Sequence, residues 1–243
     1  MNLIVDIGNT LVKMAVFQDD IFLKKKTFLR SDFLKNLDEL EQQFPKIGSV
    51  LISSVSKTSN KWVHRLEEKY ALYILSPALP QLFKNLYSTP GTLGNDRIGL
   101  ASAACKKFPG KNVLIIDAGT CITYDFKNDR DEYLGGAISP GIQLRYKALN
   151  TFTEHLPLLE PEEQVNLIGN STHNSIQSGV ILGAISEIDG FIEAYKANYK
   201  ELTIIFTGGD AQLLCKQLKN SIFANSNFLL EGLNYILEYN KSQ

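Results

Sequence analysis

An apolar strand that ends in aspartate and runs into a glycine–threonine turn occurs twice in this 243-residue chain. Residues 3–17 read LIVDIGNTLVKMAVF and residues 114–126 read LIIDAGTCITYDF. Each is an apolar run, a turn of the form D-x-G-(N)-T, and a second run with strand character. Each copy is followed by more strand-like sequence and then by helical spacing. Internal repetition of this kind predicts two similar domains. Pro109-Gly110 supplies a joint between them. The boundaries that follow are 1–110 and 111–243, with the last helix, about 229–239, free to pack back on the first half.

The remaining pattern fills in both halves. Residues 21–28, 50–55 and 72–75 read as strands. Residues 31–44, with Ser31 or Asp32 as the cap, residues 60–69 and residues 95–107 read as helices. In the second half, 143–149 and a long segment over 174–198 are helical. The latter carries Ile176, Val180, Ala184, Ile188 and Phe191 or Ile192 down one stripe. Residues 203–206 form a strand that ends in Thr207-Gly208-Gly209-Asp210. Mixed strands and helices in each half give an α/β fold with mixed sheets flanked by helices.

The repeated turn has a chemical logic. Glycine leaves no side chain between backbone and ligand, so successive N–H groups and the threonine hydroxyl can face a phosphate. The aspartate at the strand end cannot bind a phosphate directly, but it can do so through Mg²⁺ or its waters. Asp6, Gly8, Asn9, Thr10 and Lys13 form the first set, and Asp117, Gly119, Thr120 and Thr123 the second. One such turn alone reads as a plain hairpin. Two copies, each opening a domain-like half, favour nucleotide binding. Thr207–Asp210 fits either a close approach to a nucleotide or an ordinary turn.

Other classes are excluded by what is missing. No G-x-x-x-x-G-K-[ST] and no strand-following G-x-G-x-x-G occurs, so neither a P-loop nor a Rossmann dinucleotide site is expected. The formal net charge of -1 gives no basic footprint for nucleic acid. Cys105, Cys121 and Cys215 form no C-x-x-C pair and read as small core residues of a reducing compartment. No apolar run reaches membrane-spanning length and no leader is visible, so no membrane partner is expected and the reading is cytoplasmic. His64, His155 and His173 have no ligand spacing.

Taken together, these segments resemble the type III pantothenate kinases of the actin, Hsp70 and sugar-kinase superfamily. The resemblance is carried by Asp6-Ile7-Gly8-Asn9-Thr10 with Lys13, Gly94-Asn95-Asp96-Arg97, Asp117-Ala118-Gly119-Thr120 with Thr123, Gly135-Gly136-Ala137-Ile138-Ser139-Pro140-Gly141, Thr172, and Thr207-Gly208-Gly209-Asp210. They fall in the family's order over nearly the whole chain. Cys121 and His155 depart from the residues usual at their positions.

The resemblance implies duplicated ribonuclease H-like, actin-like ATPase domains and ATP-dependent phosphorylation of pantothenate to 4′-phosphopantothenate, the first step of coenzyme A biosynthesis. It implies Asp96 as the general base. Asp6, Ile7, Gly8, Asn9, Thr10, Leu11, Val12 and Lys13 would cradle the phosphates, with Thr120 also on ATP. Tyr87, Gly94, Asn95, Asp96 and Arg97 would hold pantothenate, with Thr172 reaching it from a neighbouring subunit of a homodimer. Mg²⁺ would sit on Asp6 through water, and a monovalent cation, K⁺ or NH₄⁺, on Asp117. Read without the resemblance, Asp96 is an acid at a helix start, Tyr87 a loop tyrosine, and Thr172 a helix cap. The rivals are another actin-like phosphotransferase, a non-enzymatic binding protein of the kind some relatives are named for, and a filament protein. A binding role would predict loss of Asp96 or Lys13, and both are present.

Overall fold

The first repeat folds as two antiparallel strands, β1 (Asn2–Ile7) and β2 (Leu11–Gln18). The computed structural model describes residues 1–8, 11–54, 59–220 and 222–243. Asn9 and Thr10 of the first turn, and Val55 at the end of its strand, therefore lie outside the described residues. The chain divides into two units, Met1–Pro109 with Asn227–Gln243, and Gly110–Ser226.

In the first unit β3 (Ile21–Leu29) pairs antiparallel with β2, and β4 (Ser49–Ser54) pairs parallel with β1. β5 (Ala71–Ile74) continues parallel beyond β4, giving the order β3-β2-β1-β4-β5. All six residues of β1 are buried, as expected of a central strand covered on both faces. Leu3, Val5 and Ile7 join Val12, Met14, Val50 and Ile52 in a core closed by α1 (Phe33–Gln43) and α2 (Asn60–Glu67). Each fully buried aliphatic side chain there contributes about 1.5–3 kcal/mol. Neither Ser31 nor Asp32 caps α1 through its side chain. Residues Arg30–Asp32 instead form a 3₁₀ turn that runs straight into the helix. The edge strand β3 carries Lys24, Lys25 and Lys26, charges that oppose pairing with another chain's edge. A two-residue strand, β6 (Lys84–Asn85), precedes α3 (Asn95–Lys107).

The second unit repeats the plan. β7 (Val113–Ala118) pairs antiparallel with β8 (Cys121–Lys127), and β8 with β9 (Glu132–Pro140). Helix α4 (Ile142–Thr151) follows, then α5 (Thr172–Gln177), a π-helical turn over Ser178–Leu182, and α6 (Gly183–Asn198). β10 (Thr203–Thr207) pairs parallel with β7, and after α7 (Ala211–Cys215) the short β11 (Phe223–Ala224) pairs parallel with β10. The strands run β11-β10-β7-β8-β9, the first unit's order and directions element for element. Ile176, Val180, Ala184, Ile188 and Ile192 face the core, with Phe191 stacked on Tyr124 at 4.1 Å. The helix predicted over 174–198 is thus two α-helices joined through the π turn, and its apolar stripe survives that turn. Cys105 is buried, while Cys121 and Cys215 are partly exposed, so only the first is a core residue.

The chain ends in α8 (Phe228–Lys241), which belongs to the first unit and packs on α3, β1 and β4. The crossing of α3 and α8 is a backbone-to-backbone approach. A Cβ on Gly232 would stand 1.9 Å from the Gly99 carbonyl oxygen. A buried polar clamp fixes the same helix: the Asn2 amide donates to Asn234 Oδ1 at 2.8 Å, and the Asn234 amide donates to the Asp19 carbonyl at 2.8 Å. Each bond contributes about 1 kcal/mol net, but losing one partner strands the other in the interior at greater cost. Among the described residues no helix is long and apolar enough to cross a membrane. Gly232→Ala should force the helices apart and destabilise the protein by about 1–3 kcal/mol, seen in calorimetry as a lower Tm with the secondary structure retained.

Candidate active site

In the first unit three strands bring polar residues into one row. Asp6, the penultimate residue of β1, is in register with Lys13 on β2 and with Ser53 on β4. Registered neighbours share a face, so all three side chains stand on the side of the sheet that carries Asn2 and α8. Lys13 Nζ lies 3.7 Å from one carboxylate oxygen and Ser53 Oγ 3.5 Å from the other. The Asp6 side chain is only 10% exposed, whereas that of Lys13 is 43% exposed, which leaves the ammonium accessible to an anion. Burial pushes the Asp6 carboxyl above its ordinary 3.8. Lys13 pulls it back, and the charge of Asp96 pushes it up again. Asp96 therefore acts on the same spot from the start of α3.

The first turn closes with the Gly8 N–H donating to the Leu11 carbonyl at 3.0 Å. Ile7 and Val12 point their side chains into the core and Leu11 is exposed, so any phosphate contact from these three is through backbone. Asp96 is the second residue of α3, after Gly94 at the cap position. A Cβ on Gly94 would fall 2.5 Å from Asp96 Oδ1, so glycine makes room for the carboxylate. That oxygen accepts the Arg97 N–H at 2.9 Å. The Asn95 amide donates to the Ser54 and Leu75 carbonyls at 3.0 and 3.1 Å, tying α3 to the ends of β4 and β5. The Arg97 guanidinium lies over the Tyr87 ring, 5.6 Å from its centroid. Gly94, Asn95, Asp96, Arg97 and Tyr87 thus form one neighbourhood of the first unit.

The second unit holds a matching row. Asp117 is in register with Thr123 on β8 and Thr207 on β10. Its turn is one residue shorter: residues 119–121 join the paired Ala118 and Ile122, where residues 8–11 join Ile7 and Val12. Two further segments close on this turn. The Gly141 N–H donates to the Thr120 carbonyl at 3.1 Å, and the Asp210 N–H to the Ala118 carbonyl at 2.9 Å. Gly208 has φ +102°, and a Cβ there would stand 2.2 Å from the Ala118 oxygen. A Cβ on Gly141 would stand 2.1 Å from the Gly119 oxygen. Burial also raises the Asp210 carboxyl above its ordinary value.

Thr172 stands elsewhere in that unit. The α5 cap is Ser171, whose Oγ accepts the Asn174 N–H at 3.2 Å. Thr172 is the first helical residue, so its reading as a cap is corrected by one position. It lines an apolar groove of about 950 Å³ with Leu144, Leu149, Leu156, Ile176 and Val180. Gly179 also lines the groove, while Ala184 is buried in the core. Sequence reasoning missed Ser53, although its strand ends in Ser-Ser, and Arg145, one of two cations in an unremarkable helix. Among the described residues no group of three or more His, Cys, Asp or Glu gathers as a metal-ligand set.

Solved structures place this architecture among the actin-like ATPases and sugar kinases. A Campylobacter jejuni protein assigned to the Baf family of transcriptional activators superposes with TM-score 0.65 at 24% identity, over 99% of this chain and 100% of that one. Glucokinase from an Antarctic psychrotroph superposes with TM-score 0.53 at 11% identity, over 98% of each chain. At these identities the likeness is one of fold, and it bears out the duplicated α/β architecture. The family follows from sequence. The type III pantothenate kinase family model matches residues 2–194. The type III pantothenate kinase of Christiangramia forsetii is 54% identical over the whole of both chains, and that of Flavobacterium johnsoniae 45% identical over 98% of each. The chain belongs to the type III pantothenate kinase family.

The Asp6 environment has a thermodynamic consequence. A carboxyl whose folded pKa is raised costs stability when ionised. That cost is complete above the folded pKa and vanishes as pH falls to the unfolded value near 3.8. Asp6→Asn should therefore have a higher Tm than wild type at neutral pH, with the gap closing as the solution is acidified toward that value. Thermal melts across pH check it, and a lower Tm at neutral pH would refute it.

Proposed function

We propose that this kinase transfers the γ-phosphoryl group of ATP to the hydroxyl of pantothenate, giving 4′-phosphopantothenate and ADP at the entry to coenzyme A biosynthesis. The observation that carries this reading is the convergence, within the first unit, of the Lys13–Asp6–Ser53 row, the Asp96 carboxylate and the Arg97–Tyr87 pair. A phosphate site needs a cation and free N–H groups. A carboxylate-bearing alcohol needs a guanidinium or hydroxyl donor and a proton acceptor.

The two units are the two domains of the ATPase in this reading. For the first unit the reading assigns the MgATP phosphates to residues 6–13, and for the second unit it assigns Thr120 an ATP contact. Lys13 offers its exposed ammonium to a phosphate oxygen and neutralises charge that builds in transfer. Asp6, buried and reluctant to ionise alone, suits a partner cation and is the residue that would hold the nucleotide's Mg²⁺ through water, where the ion would neutralise phosphate charge. Arg97 and Tyr87 orient pantothenate, with Gly94 and Asn95 shaping the start of α3. Asp96 accepts the hydroxyl proton as the oxygen attacks the γ-phosphorus and the bond to ADP breaks. Because the transition state is largely dissociative, the proton leaves late and a carboxylate suffices as acceptor.

Asp117, among the carbonyls crowded by Gly141 and Gly208, offers the hard oxygen donors that K⁺ or NH₄⁺ prefers. That ion would supply fixed positive charge beside the second turn. Thr172, exposed on its apolar groove, suits a contact to pantothenate in a second copy of the chain, and the homodimer follows from that contact. The reading places the enzyme in the cytoplasm, with no nucleic-acid or membrane partner.

Purified protein with ATP, Mg²⁺, K⁺ and pantothenate should form phosphopantothenate, detected by mass spectrometry, and removing K⁺ and NH₄⁺ should lower the rate. Asp96→Asn should keep the wild-type Tm and lose about 100-fold or more in kcat. No product from folded wild-type protein under any cation would refute the proposal.

A further inference from the structure

Pro140 and Gly141 reach the Gly119–Thr120 turn through backbone, and one side chain grips them from behind. Arg145 lies one helical turn into α4, with its N–H donating to the Gly141 carbonyl at 3.0 Å. Its Nε donates to the Pro140 carbonyl at 2.8 Å, and one terminal nitrogen donates to Ser139 Oγ at 3.0 Å. The same nitrogen pairs with Glu187 on α6, and Glu187 accepts the Tyr124 hydroxyl of β8 at 2.9 Å. Burial pushes the Glu187 carboxyl up, but bonds from Arg145, Ser139 and Tyr124 outweigh it and hold the group below its ordinary range. Glu187 is therefore a carboxylate at neutral pH, and the pair is ionic. Both side chains are mostly covered, 19% and 24% exposed.

On its other side the gripped segment meets the turn without slack. The Gly141 N–H is bonded to the Thr120 carbonyl, and its missing Cβ leaves no room between it and Gly119. A shift of Pro140–Gly141 is a shift of Gly119–Thr120. Close-packed contacts transmit such displacements because they have no free volume to absorb them.

We propose that Arg145 is a positioning residue for nucleotide: braced by Glu187 and Tyr124, it sets the place of the Gly119–Thr120 turn through Pro140 and Gly141. This rests on the reading of Thr120 as an ATP contact. A planar guanidinium is required, because it grips a carbonyl, a hydroxyl and a carboxylate at once in a fixed fork. An ammonium can keep the charge pair but not that geometry.

The test compares Arg145→Ala, Arg145→Lys and Glu187→Gln with wild type in three measurements: Tm, calorimetric affinity for Mg·ADP, and steady-state kinetics with each substrate varied. Arg145→Ala should lose about 10- to 100-fold in kcat/KM for ATP and weaken Mg·ADP binding, with KM for pantothenate little changed. Arg145→Lys should recover the Tm but not the nucleotide affinity, a split that a purely structural ion pair would not produce. Recovery of both by lysine, or a change confined to KM for pantothenate, would overturn the proposal. Wild type that binds Mg·ADP without phosphorylating pantothenate would refute the substrate assignment instead. The Mg·ADP affinities of the variants would still decide the role of Arg145.

Discussion

Asp6, one residue before the end of the central strand of the first sheet, has its carboxylate almost removed from water, and much around it answers that cost. An isolated buried carboxylate would take up a proton instead of ionising. Lys13 on one neighbouring strand and Ser53 on the other are fixed opposite it by strand register, so the compensation is built into the sheet. The compensation is incomplete: burial wins, and Asp96 adds repulsion from the start of α3. A site poised in this way gains from a further cation and from the phosphates that accompany it. The stability lost by burying Asp6 within reach of the Asp96 charge is the expected signature of a functional site.

The second unit shows which parts of this arrangement belong to the fold and which to the chemistry. Strand order, strand directions and the register of the central aspartate recur in both units. The neighbours of that aspartate differ. Lys13 and Ser53 flank Asp6, and Thr123 and Thr207 flank Asp117. One row sets an exposed cation beside its aspartate, and the other sets threonine hydroxyls at the same register positions. Around the second turn, glycines at 141 and 208 let two further backbone segments close in. Close backbone contact marks the second turn, where the first row is marked by charge.

Much of this was legible in the sequence because the repeat is written in residues that the chemistry requires. The apolar runs gave the long strands, and the D-x-G turns gave the strand ends near which the two aspartate rows lie. What escaped has physical reasons. β6 and β11 are two residues long and have no period to read. β9 is interrupted by Gly135 and Gly136, which blur its alternation. The π turn at 178–182 leaves the apolar stripe intact, so the pattern could not reveal it. Ser171 instead of Thr172 caps α5, since either hydroxyl satisfies the sequence rule. Ser53 and Arg145 act through partners far away in the chain, and only the folded register of β1 with β4, or the meeting of α4 with α6, makes them visible. Asp96, Arg97 and Tyr87 stood out through the family resemblance, because each residue type is ordinary where it stands.

In the proposed reaction Lys13 and Asp6 form a phosphate site before any chemistry occurs. Calorimetric titration of Mg·ATP into wild type and Lys13→Met, with Tm measured on both, tests this most directly. Binding to wild type should be saturable, and binding to the variant weaker by about tenfold or more, equivalent to about 1.4 kcal/mol or more, with no loss of Tm. Equal affinity in the two proteins would contradict it and move the nucleotide away from the first turn.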